Sequence, residues 1–144
     1  LPPLDYERVY QVKNDFPHLS IILNGGIANM EDASVHLRKT DGVMMGRAAY
    51  HNPYVLASVD QLIFGSDRTI KTREQIADEF TQFVEEELSN GVPLYAMTRH
   101  ILGLFHGMRN GKRFRRYLTE NACNANAQIG VLHEAISRVT TAIY

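Results

Sequence analysis

Two short glycine-bearing segments, Asn24-Gly25-Gly26 and Gly46-Arg47, each follow a brief apolar run, Ser20-Ile21-Ile22-Leu23 and Gly42-Val43-Met44-Met45. Each run has strand character, and each hands over to a helix-like stretch. In α/β folds this carboxyl end of a parallel strand is the ligand-binding edge, and in (β/α)₈ barrels the loops after the last two strands frequently bind phosphate. Glycine lets the backbone approach an anion closely, and helix N-terminal N–H groups attract its charge. Arg47 adds a planar fork that matches two phosphate oxygens. The alternative is a pair of plain βα turns in which glycine supplies a positive φ. Two matched loops one βα unit apart, one with an arginine, favour the anion site.

A second constellation is cationic. Arg109, Lys112, Arg113, Arg115 and Arg116 place five cations in eight residues with no acid among them. On a helix, Lys112, Arg113 and Arg116 lie opposite an apolar stripe of Phe114 and Leu118. Such a density of like charge is compensated best by a polyanion, and a nucleic-acid backbone is the natural one. The alternative is a solvated helix face. Tyr117 either stacks on a base or packs in the core. Arg99 and His106, seven apart on an expected helix, extend the basic face, and His100 sits beside Arg99. No histidine spacing suggests a metal site. The single cysteine, Cys123, has no histidine near it in sequence and reads as structural.

Charge is divided unevenly. Net charge is −1, but residues 1–92 hold 8 Lys/Arg against 14 Asp/Glu, and residues 93–144 hold 7 against 2. An acidic first part and a basic second part suggest that the second meets a polyanion. The chain of 144 residues is 44% hydrophobic, which supports a packed core. It has no run of about 18 apolar residues and no signal-peptide pattern at Leu1-Pro2-Pro3-Leu4-Asp5. One cysteine excludes an internal disulfide, so a reducing cytoplasm is the expected compartment.

These groups need elements to position them. Asp5 caps an expected helix to Phe16 with Val9, Val12 and Phe16 on its apolar face. Asn29 caps a second, to about Lys39, and a helical turn runs from Ala48 to about Asn52-Pro53. Residues 5–52 therefore read α-β-α-β-α, the pattern of parallel βαβ units. Strands of this type are expected to be buried on both faces, so the rest of the sheet is expected upstream of Leu1. Residues 58–71 form a linker. Beyond it, Thr72 caps a helix with a stripe of Ile76, Phe80, Phe83 and Val84. Leu94, Met97, Ile101, Leu104, Phe105 and Met108 form a second stripe, Phe114, Tyr117 and Leu118 a third, and Ile129, Leu132, Ile136 and Val139 a fourth. Four amphipathic helices predict a small bundle.

The motifs together resemble the A-type tRNA-dihydrouridine synthases. The resemblance runs through Ile22-Leu23-Asn24-Gly25-Gly26-Ile27, Asp41-Gly42-Val43-Met44-Met45-Gly46-Arg47-Ala48-Ala49-Tyr50 and His51-Asn52-Pro53. It continues through Thr98-Arg99-His100-Ile101-Leu102-Gly103-Leu104-Phe105-His106-Gly107 and Arg113-Phe114-Arg115-Arg116-Tyr117-Leu118-Thr119-Glu120. It covers essentially the whole chain. The resemblance implies the last βα units of an FMN-binding TIM-type (β/α)₈ barrel over 1–57, a linker over 58–71 and a helical tRNA-binding domain over 72–144.

It also implies NADPH-dependent, FMN-mediated reduction of a D-loop uridine in tRNA, with the base flipped out of the RNA. By motif, Asn24, Gly25, Gly26, Gly46 and Arg47 hold the FMN phosphate, and Lys112 and Arg115, with Arg113 and Arg116 beside them, contact tRNA. The family's catalytic cysteine lies in an earlier barrel loop, and Cys123 does not match it. The chain by itself is therefore expected to be inactive without the N-terminal barrel portion of the same enzyme. Two other functions fit parts of the pattern: a stand-alone RNA-binding helical module, and an FMN- or phosphate-binding barrel acting on a small molecule.

Overall fold

Helix α1, Tyr6–Asp15, starts where the Asp5 side chain accepts the Arg8 N–H at 3.1 Å. Pro17 follows its C-cap, Phe16. Strand β1, Ile22–Asn24, leads to helix α2, Met30–Leu37, capped by Asn29, whose side chain accepts the Asp32 N–H at 2.8 Å. Strand β2, Gly42–Met44, lies parallel to β1 with Leu23 opposite Val43. Helix α3, Arg47–His51, a 3₁₀ segment at Pro53–Ser58 and helix α4, Val59–Leu62, follow. The computed structural model describes residues 3–140. It divides the chain into two units, one running to Ala49 together with Val55–Arg68, the other comprising Tyr50–Tyr54 together with the chain from Thr69 onward. The segment 58–71 thus contains a helix, and as far as Arg68 it groups with the first unit.

In the first unit α1 and α2 cover one face of the two-stranded sheet. Tyr10, Leu23, Ile27 and Ala33 are buried there, with Tyr6, Val9, Met30, Val43 and Met45 packed against them. Two expectations change. The core face of α1 is Tyr6, Val9 and Tyr10, whereas Val12 and Phe16 are exposed. The strands are also covered on one face only among the described residues. Side chains alternate across a sheet, so Leu23 is 1% exposed while Ile22, on the opposite face, is 63% exposed. The unit is tied further by Lys13 and Asp41, whose charged groups lie 2.7 Å apart, and by the Ile21 N–H, which donates to Asp41 at 2.8 Å.

In the second unit helix α5, Arg73–Ser89, opens with a reciprocal capping box. The Gln75 N–H donates to the Thr72 hydroxyl, and the Thr72 N–H donates to the Gln75 side chain. Helices α6, Leu94–Thr98, α7, Gly111–Asn121, and α8, Ile129–Thr140, complete the unit. One core holds Ala77, Val84, Leu94, Met97, Ile101, Leu104, Phe105, Phe114, Leu118, Leu132 and Val139. Phe105 meets Phe114 edge-on at 4.8 Å between ring centres. Phe83 stands exposed outside its expected stripe.

The second stripe keeps its burial but not its helix. After Thr98 the chain becomes a run of turns, with N–H groups of Ile101, Leu104, His106, Met108 and Gly111 bonding carbonyls three residues back. Glycine accounts for the break. Gly107 has φ +78°, and a Cβ on Gly103 would overlap the His51 carbonyl. Arg99 and His106 therefore share no helix face. No helix among the described residues is long and apolar enough to cross a membrane.

Candidate functional site

The two glycine loops come together. Asn24 and Met44 are register partners at the ends of β1 and β2, so the loops that follow lie side by side. They enclose an open cleft of about 410 Å³ lined by Asn24, Gly26, Ile27, Ala28, Met44, Gly46, Arg47 and Ala48. Gly25 has φ +125° and Gly26 φ +72°, conformations that L side chains rarely adopt. The loop is held from below by Tyr6, whose hydroxyl donates to the Gly25 carbonyl at 3.0 Å. A Cβ on Gly26 would overlap that hydroxyl and come within 2.7 Å of Leu4. Gly25 itself is not among the lining residues.

Arg47 is exposed at the cleft and makes no side-chain hydrogen bond or ion pair among the described residues. The start of α2 is different. Asp32 takes the Ala28 N–H at 3.2 Å, and Asn29 takes the Asp32 N–H, so this helix terminus already has its acceptors and a carboxylate. Among the described residues that line this cleft, Arg47 supplies the positive charge available to an anion. Residue types and backbone freedom suit a phosphate group on the Gly26 and Gly46 side of the strands.

The cationic run divides on α7. Phe114 and Leu118 are buried, which turns Lys112, Arg113, Arg115 and Arg116 outward. Lys112 and Arg115, three apart on one flank, line a cleft of about 320 Å³ whose other wall is the turn run Leu102, Gly103, Phe105, His106, Gly107 and Met108. Arg113 and Arg116 lie outside that lining. Arg116 is paired with Glu120 at 2.7 Å, and this carboxylate raises the guanidinium pKa. Tyr117 packs against the core, and Arg138 covers one face of its ring at 3.9 Å. Cys123 is exposed, with its thiol directed at the Thr119 carbonyl at 3.7 Å.

Three contributors escape a sequence pattern built on charge and glycine pairs. Tyr6 holds the Gly25 loop from a different element. Gly111 starts α7 so close to Phe105 that a Cβ would overlap the Phe105 carbonyl, which sets the cleft beside Lys112. The wall from Leu102 to Met108 is signalled only by glycines interrupting an apolar run.

A dihydrouridine synthase (Dus) family model matches residues 1–141. Among curated proteins, the chain is 49% identical over 139 residues to a tRNA-dihydrouridine(20/20a) synthase of Vibrio cholerae serotype O1, covering 96% of this chain and 42% of that one. It is 50% identical over 139 residues to proteins of the same name from Salmonella typhimurium and Escherichia coli strain K12, covering 96% of this chain and 42% and 40% of theirs. The chain spans about two fifths of the length of the curated relatives it matches.

Proposed function

The chain belongs to the dihydrouridine synthase family, and from that premise we propose that it is the C-terminal part of a flavin-dependent tRNA-dihydrouridine(20/20a) synthase. The observation that carries the proposal is the meeting of two glycine-bearing strand ends around Arg47 in a chain matched almost throughout by that family's model. Residues 1–57 are assigned to the end of an FMN-binding (β/α)₈ barrel, 58–71 to a linker and 72–144 to a helical tRNA-binding domain. The N-terminal barrel portion of the same enzyme is the proposed partner, D-loop tRNA the substrate, NADPH the reductant and the cytoplasm the compartment.

Asn24, Gly25, Gly26, Gly46 and Arg47 are proposed to hold the FMN phosphate. Gly26 leaves room for close backbone approach, and Arg47 supplies charge-assisted hydrogen bonds. Bound FMN, reduced by NADPH, would supply the hydride for one carbon of the uracil C5–C6 bond, and the proton for the other would come from the family's cysteine in an earlier barrel loop, outside this chain. Lys112 and Arg115 neutralise backbone phosphates across their shared cleft, and Arg113 and Arg116 add charge on the neighbouring flank. Phosphate contacts of this kind give sequence-independent affinity, which suits an enzyme that flips a base out of RNA. Cys123 is given no catalytic role, and the chain alone is proposed to be inactive.

The test is tRNA binding by fluorescence anisotropy across a salt series. Alanine at both Lys112 and Arg115 is expected to weaken binding and reduce the slope of log affinity on log salt by about two, one for each lost phosphate contact. An unchanged slope and affinity would remove tRNA from the assignment.

A further inference from the structure

Arg73 is the first residue of α5, where a cation opposes the helix dipole. What its half-buried guanidinium reaches explains its presence there. Nε donates to the Leu104 carbonyl at 2.8 Å, and an Nη donates to the His106 carbonyl at 3.5 Å. The guanidinium Cζ lies over the Tyr54 ring, 3.9 Å from its centre, and the Tyr54 hydroxyl donates to the Lys71 carbonyl at 3.1 Å. One side chain thus ties Tyr54 and the start of α5 to the turn run after α6. That run has no continuous helix to brace it. It supplies Phe105, His106, Gly107 and Met108 to the wall facing Lys112 and Arg115. A lysine is not expected to reproduce the contact, because it lacks the planar fork that lies over a ring while its edge donates to two carbonyls.

We propose that Arg73 is a positioning residue for tRNA binding, holding the 104–108 wall in place so that Lys112 and Arg115 meet phosphate together. The proposal rests on the tRNA assignment of that cleft. It requires no contact between Arg73 and RNA.

The experiment uses the full chain with Arg73→Met, Arg73→Lys, Lys112→Ala and the Arg73→Met/Lys112→Ala pair. It reads tRNA affinity together with amide hydrogen exchange at His106 and Met108, whose N–H groups bond Gly103 and Phe105. Both Arg73 variants are expected to weaken tRNA binding about fivefold or more and to speed exchange at those amides. Lys112→Ala is expected to cost less in the Arg73→Met background than alone, as for residues acting through one network. Arg73→Lys carries the test if Arg73→Met does not fold. Wild-type binding by Arg73→Lys, additive losses, or unchanged exchange at His106 and Met108 would each overturn the positioning role. If Lys112→Ala leaves tRNA binding unchanged, the tRNA assignment falls and the proposal with it. If Lys112→Ala weakens binding while Arg73 variants do not, the proposal alone falls.

Discussion

Gly26→Ala should destabilise the first unit in a way that depends on Tyr6. Gly26 has φ +72°, and moving a non-glycine residue into the left-handed region costs about 1–2 kcal/mol. The new methyl would also overlap the Tyr6 hydroxyl and force it off the Gly25 carbonyl, to which it donates at 3.0 Å. A hydrogen bond of this kind contributes about 1 kcal/mol. Leu4, 57% exposed, can turn aside at little cost. The expected total is about 2–3 kcal/mol, or roughly thirty- to a hundred-and-fiftyfold in the opening equilibrium. Tyr6→Phe alone should cost about 1 kcal/mol. In the double variant that hydrogen bond is already gone and the overlap is relieved, so the losses should fall short of additive by about 1 kcal/mol. The assay is amide hydrogen exchange at Ala33, whose N–H bonds the Asn29 carbonyl, with far-UV circular dichroism to follow the whole chain. Additive losses, or no loss from Gly26→Ala, would refute the loop geometry and with it the support that Tyr6 gives the proposed phosphate cleft.

Other outcomes follow from the same contacts. Arg47→Ala should leave the melting temperature unchanged, since the side chain makes no ion pair among the described residues, yet weaken the proposed FMN binding by the proposed full-length enzyme by about 1.5–3 kcal/mol in a fluorescence titration. Gly111→Ala should destabilise the second unit by about 1–3 kcal/mol in thermal unfolding, despite alanine's higher helix propensity, because the methyl meets the Phe105 carbonyl. The Lys13 ammonium and the Ile21 N–H hold Asp41 below the usual carboxylate range. Its contribution should therefore be complete at neutral pH and fade as pH falls through the depressed folded value, and Asp41→Asn should flatten that acid limb of the stability profile.

The local order of elements was legible because short-range chemistry sets it: Asp5, Asn29 and Thr72 all cap the helices they precede. The pairing of Gly25-Gly26 with Gly46-Arg47 was also legible, since parallel strands bring their carboxyl ends to one edge. Burial was legible beyond α6 but helix was not. Leu94, Met97, Ile101, Leu104 and Phe105 are buried at helical spacing, yet Gly103 and Gly107 permit a tighter path in which turns bury the same side chains. On α1, Val12 and Phe16 fit an apolar period, but Tyr10 packs inward because its hydroxyl reaches His36 Nδ1 at 2.5 Å, a partner that no local pattern displays. The separation of Lys112 and Arg115 from Arg116 depends on the turn wall and on Glu120, both tertiary details of how α7 is seated.

The assignment is tested most directly by NADPH-dependent dihydrouridine formation on tRNA, using the proposed full-length enzyme. Dihydrouridine should appear with FMN-loaded wild type, fall with loss of FMN in Arg47→Ala, and fall with loss of tRNA affinity in Lys112→Ala/Arg115→Ala. FMN-loaded wild-type enzyme that binds tRNA and leaves its uridines unreduced would contradict the assignment.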